Sequence, residues 1–101
     1  MAFLCLLDIQ LHFPDNESLK GKRKELSSLK AQLHRRFGAA VAETDHHELW
    51  QRSELTAALV GRDAGPLREQ GAGLARFVES MFPESSQVVC HLVSSSDLLD
   101  D

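Results

Sequence analysis

Ala39-Ala40-Val41-Ala42-Glu43-Thr44-Asp45 and Ser53-Glu54-Leu55-Thr56-Ala57-Ala58-Leu59-Val60-Gly61 are the two runs that decide how this chain folds. In the second, Leu55, Ala57 and Leu59 alternate with Glu54, Thr56 and Ala58. That period of two marks a strand with one buried side. Only His46-His47-Glu48-Leu49-Trp50-Gln51-Arg52 joins the two runs. A parallel pair needs a crossover of a dozen residues or more, so these strands pair antiparallel.

Working outward, residues 3–13 alternate in the same way. Phe3, Cys5, Leu7, Ile9, Leu11 and Phe13 share one face, and Pro14-Asp15-Asn16 ends the run. Residues 18–37 have helical spacing instead. Ser18 is a fair N-cap, Leu19, Leu26, Leu29, Leu33 and Phe37 form the apolar stripe, and Gly38 is a natural stop. Downstream, Asp63 to Phe82 reads as a second helix, with Pro66 near its first turn and Pro83 just past its end. Its stripe is Leu67, Leu74, Phe77, Val78 and Met81, and the internal Gly71 and Gly73 point to close packing on a sheet. Gln87–Val93 is a last strand. The order β-α-β-β-α-β predicts an α+β, ferredoxin-like domain, a four-stranded antiparallel sheet with both helices on one face. It spans residues 1–94, and residues 95–101 have the composition of a loose acidic tail, although Leu98 and Leu99 are apolar enough to dock.

The 101 residues suffice for one core, and a 43% hydrophobic, 26% charged composition is that of a globular protein. Asp8 breaks the longest apolar run, so no membrane span is expected. Met1–Leu7 lacks a basic region and a cleavage-like end, so no secretory signal is expected either. Two cysteines are too few for a disulfide framework. Together these predict a cytoplasmic protein.

Charge is unevenly spread. Between Leu19 and Phe37 stand Lys20, Lys22, Arg23, Lys24, Lys30, Arg35 and Arg36 against Glu25 alone, a net +6. Four cations and fourteen acids elsewhere carry −10, which leaves the chain at −4. The first helix is therefore a basic element on an acidic body, read either as a solvated face or as a surface for a polyanion. Lys20, Lys24 and Arg35 fall opposite the apolar stripe. Lys22 falls within it, so its ammonium must snorkel past the sheet edge, meet a carboxylate or serve a ligand, and snorkelling is favoured.

Other chemistries find little support. Cys5 faces the core, where a thiol is usually inert, and no serine sits in a nucleophile elbow. Gly71-Ala72-Gly73 lies inside a helix, which is the wrong context for a phosphate loop. Asp45, His46, His47 and Glu48 cluster in the hairpin connection, yet adjacent histidines in extended chain point apart, and no metal motif occurs. No metal, cofactor or catalytic residue is assigned. Trp50 and Arg52 on the hairpin suit base stacking, or Trp50 covers one end of the core. The open sheet face, with Asp8, Gln10, His12, Glu43 and Glu54, lacks the stacking aromatics of an RNA-recognition motif.

Ser18-Leu19-Lys20-Gly21-Lys22-Arg23 and Ala42-Glu43-Thr44-Asp45-His46-His47-Glu48-Leu49-Trp50-Gln51-Arg52 resemble the YlxP-like family of small bacterial proteins of unassigned function. The likeness runs from about Cys5 to Ser94. It departs at Gly21, where the family usually has an acidic residue. The resemblance implies a ferredoxin-like fold, a cytoplasmic setting and genes neighbouring those for transcription and translation factors, and it supplies no catalytic residues.

The leading expectation is a non-enzymatic accessory protein that contacts RNA or the ribosome through Lys20, Lys24 and Arg35. Lys22, Arg23, Arg36, Arg52 and Trp50 stand at the margin of that surface. The alternative is a small dimeric ligand- or metal-binding module using the polar sheet face. The apolar end of that face, formed by Leu4, Leu6 and Val60, makes a homodimer the expected assembly.

Overall fold

The computed structural model describes residues 1–99, and its centre is the strand whose every second residue is apolar. This strand, β1 (Phe3–His12), is flanked on one side by β3 (Arg52–Gly61) and on the other by β4 (Ser86–Ser94). With β2 (Ala40–Asp45) outside β3, the sheet order is β2-β3-β1-β4, and every adjacent pair is antiparallel. The helices α1 (Leu19–Phe37) and α2 (Ala64–Met81) complete the βαββαβ order read from the sequence.

One core lies between helices and sheet. Cys5, Leu7, Ile9 and Leu11 of β1 meet Leu55, Ala57 and Leu59 of β3, with Leu26, Leu29 and Leu33 of α1 and Leu67, Leu74 and Val78 of α2 above them. All are buried, and each large aliphatic side chain taken from water contributes about 1.5–3 kcal/mol. Phe77, expected inside, is half-buried and packs at the edge of this cluster.

The first helix starts where its cap predicts. Ser18 is extended, and its Oγ accepts a hydrogen bond from the Gly21 amide at 3.0 Å. A Cβ at Gly21 would collide with Oδ1 of Asn16, so glycine here goes with a close approach by the preceding turn. Gly38 closes the helix in the left-handed region at φ 68°, its amide donating to the His34 carbonyl at 2.8 Å.

Three readings need correction. Glu43 is on the helix side of the sheet, opposite Leu55, and not on the open face. Residues 95–99 are not loose. They form a one-turn helix, α3 (Ser95–Leu99), tied to the N-terminal strand by Ser95 N–H to the Ala2 carbonyl at 2.7 Å. Leu98 and Leu99 nevertheless stay exposed, and Asp100 and Asp101 of the expected tail lie outside the described residues. Of Gly71 and Gly73, only Gly71 makes the close approach: a Cβ there would sit 2.7 Å from Cys5 Sγ, whereas at Gly73 it would meet ordinary contacts.

Candidate nucleic-acid interface

Lys22 organises one end of the molecule. Its place in the apolar stripe of α1 leaves it fully buried, at 0% exposure. Its Nζ donates to the carbonyls of His46 at 2.6 Å, Arg52 at 3.2 Å and His47 at 3.3 Å, and lies 3.1 Å from Glu43 Oε2. Three N–H bonds shared among these oxygens satisfy the charge, which offsets the cost of burying it. Burial pushes the Glu43 carboxyl upward. The Ser53 hydroxyl, donating at 2.8 Å, the Lys22 ammonium and the charge of His47 more than reverse that and hold it below the ordinary glutamate value.

This overturns two parts of the sequence reading. Lys22 does not snorkel; it meets a carboxylate and a turn of backbone. It also cannot reach a phosphate, so it leaves the set of nucleic-acid-contacting candidates. Its partner was hidden in sequence because Glu43 is 21 residues away, on β2 and not on the helix.

The same end is laced by amides. Asn16 Nδ2 donates to the Ser18 carbonyl at 2.7 Å and to the Trp50 carbonyl at 2.5 Å. Gln51 Nε2 donates back to the carbonyls of Pro14 and Asn16, at 3.2 and 3.3 Å. The 46–52 turn is thus fixed against the first turn of α1, and Trp50 is held outward. Its side chain is 53% exposed, so it does not cover the core.

Lys20, Arg23 and Lys24 are exposed near the start of α1, beside the hairpin that carries Trp50 and exposed Arg52. No acidic residue stands in the helix's first turn, and among the described residues none of these cations is in an ion pair. Cations at a helix N-terminus oppose the macrodipole, so the arrangement raises the positive potential there at a small cost in stability. Arg35 is exposed on the same face but about 22 Å along the helix at 1.5 Å per residue, making a stripe and not a cluster. Arg36 turns toward α2, its guanidinium 4.6 Å from the Phe77 ring centre.

Two features were not read from sequence. A groove of about 680 Å³ opens between the start of α1 and the end of α2. Lys24, Glu25 and Ser28 line one wall, and Phe13 and Phe82, edge to face at 5.6 Å, line another. Its walls come from three separate segments, so no local pattern announces it. On the open sheet face, Asp45, His46 and Glu54 bring one ligand-type atom each within 4.8 Å of one another. A register shift between Glu43 and Asp45 sets Asp45 opposite Glu54. His47 is not in this group: as expected of adjacent histidines, it points elsewhere, with Nε2 3.1 Å from the Glu43 carbonyl.

Comparison with known proteins gives fold and family. The de novo designed protein Foldit4 superposes with a TM-score of 0.61 at 9% identity, over 94% of this chain and 99% of its own. A point mutant of SnoaB, a cofactor-independent oxygenase from Streptomyces nogalater, superposes with a TM-score of 0.50 at 12% identity, over 98% of both chains. At such identities these are likenesses of fold alone. No curated protein sequence matches the chain. The family profile described as "Protein of unknown function (DUF503)" matches residues 4–90. The chain belongs to the DUF503 family.

Proposed function

We propose that this protein is a non-enzymatic accessory factor that contacts RNA, free or in the ribosome, through the exposed face of α1. The observation that carries the reading is the cation stripe of Lys20, Arg23, Lys24 and Arg35, none of them in an ion pair among the described residues, beginning beside an exposed Trp50 whose turn is locked in place. Phosphates meet the cations, and a base stacks on the indole. The likeness of residues 18–23 and 42–52 to YlxP-like proteins supports a cytoplasmic, translation-associated setting.

Anisotropy titration of a labelled mixed-sequence single-stranded RNA, with ribosome pelleting alongside, tests this. Three phosphate contacts give log K falling with log salt at a slope of about −2, from roughly 0.7 per phosphate. Changing Lys20, Lys24 and Arg35 together to Gln flattens that slope without unfolding the domain. Binding by the triple variant equal to the parent's would return the stripe to a solvated surface.

The grouping of Asp45, His46 and Glu54 favours a second reading, a divalent-cation module on the open face. Calorimetric titration with Zn²⁺ and Mn²⁺ separates the two. Heat abolished by Glu54→Gln supports the module, and absence of heat removes it.

A further inference from the structure

The two cysteines lie 85 residues apart in sequence and on neighbouring strands in the fold. Cys5 pairs with Leu92 and Cys90 with Leu7, so the cysteines are diagonal neighbours on the helix-facing side of β1 and β4. Their side chains lean together until the Sγ atoms are 2.6 Å apart. Gly71 of α2 stands directly over the pair: a Cβ there would lie 2.7 Å from one sulfur and 3.3 Å from the other. Glycine at that point leaves the sulfurs the room they occupy. Cys5 is wholly buried, whereas Cys90, on the outer strand, is exposed. One thiol open to solvent and touching a second thiol shielded from it is the arrangement of an attacking and a resolving cysteine.

We propose that Cys5 and Cys90 form a thiol oxidation site, at which a hydroperoxide oxidises Cys90 and Cys5 resolves the product to an intramolecular disulfide. The Cys90 thiol gives up its proton, and its sulfur attacks the outer peroxide oxygen. The O–O bond breaks, and the leaving oxygen takes up the proton as alcohol or water. Cys90 is then a sulfenic acid. Cys5 Sγ attacks that sulfur, the S–O bond breaks, and hydroxide departs as water with the Cys5 proton. Two thiols have lost two electrons and two protons, and the peroxide has gained them. The order follows from exposure. Burial, together with the hydrogen bond and charge of Cys90, pushes the Cys5 thiol up to about 12, which leaves Cys90 to react first.

The test uses the whole folded chain, hydrogen peroxide as oxidant, alkylation of remaining thiols, and non-reducing mass spectrometry with peptide mapping. The expected product is monomeric, about 2 Da lighter from the two hydrogens lost, closed to alkylation at both cysteines and restored by dithiothreitol. The map shows the Cys5 peptide joined to the Cys90 peptide. Under the same treatment Cys90→Ser retains its Cys5 thiol, as protection by burial requires. Disulfide-linked dimers, Cys90 oxidised to sulfinic acid with Cys5 still free, or no change with peroxide would each overturn the proposal. So would loss of the Cys5 thiol in Cys90→Ser at the parent's rate. The wild-type map needs no variant to fold, so a Cys90→Ser chain that does not fold leaves the test decisive.

Discussion

Lys22 shows how one residue can read as an anomaly in a stripe and be the fastener of a turn. Replacing it by Met leaves Glu43 with Ser53 alone and strips a donor from the carbonyls of His46, His47 and Arg52. Breaking a buried ion pair from one side costs about 3–5 kcal/mol, a large part of a small domain's stability. Lys22→Met is therefore expected to lower the urea midpoint sharply, while Lys20→Met, on the exposed face, leaves it nearly unchanged. Acid titration reads the other partner. Glu43 ionises in the folded protein below its ordinary value of 4.5, so its contribution is fully present above that value. It is lost as pH falls through the lowered folded value. In Glu43→Gln, stability above pH 4.5 is lower, and the further loss on acidifying below that value is smaller than in the parent, as urea unfolding on both sides of pH 4.5 will show.

At the scale of elements, the periodicities were enough. Period two gave β1 and β3, the 100° stripe gave both helices, and the seven-residue connection made the middle pair antiparallel; observed ends differ from the expected ones by a residue or so. What stayed hidden depends on pairing across the chain. Strict alternation puts Asp45 on the same side as Val41 and Glu43. The register shift before Asp45 is set by how β2 meets β3, and it carries Asp45 across to Glu54. Likewise, a Trp in a turn carries no mark of whether it folds inward, and it was the amide lacing by Asn16 and Gln51 that turned Trp50 out. The basic stripe itself was legible because it needs only the helix period, while the groove beside it was not. Gly71 and Gly73, both in the interior of α2, make a matched test. Gly73→Ala meets only ordinary contacts and is expected to stabilise by up to about 1 kcal/mol from helix propensity. Gly71→Ala gains the same propensity but forces a methyl group against Cys5 Sγ, an overpacking cost of about 1–3 kcal/mol. Thermal melts of the two should shift in opposite directions.

For the whole molecule, the helices cover one face of the sheet and leave the other open. Asp8, Gln10, Glu54, Asp45 and His46 make one end of that face polar. At the other end Leu4 stands between Val60 and Val93, and Leu6 between Ala58 and His91. Val60 is 73% exposed. A single face carrying both kinds of surface suits pairing with a second copy by a two-fold axis. Sedimentation at rising concentration is expected to show a mass approaching twice the chain's, reverting to one chain with Val60→Asp. That variant adds its charge at an exposed site, so the fold persists. Among the described residues no helix is long and apolar enough to cross a membrane.

The burial of Lys22 also makes the molecule report on its own opening. The chain has four lysines, and Lys20 and Lys24 point to solvent with Lys30 partly so. An amine-reactive reagent labels those as fast as it meets them. It reaches the Nζ of Lys22 only when the hairpin lifts from α1 and the carbonyls let go. The rate of acylation at Lys22, read by peptide mapping against the other three lysines, thus clocks how often this corner of the fold comes apart, with no probe added.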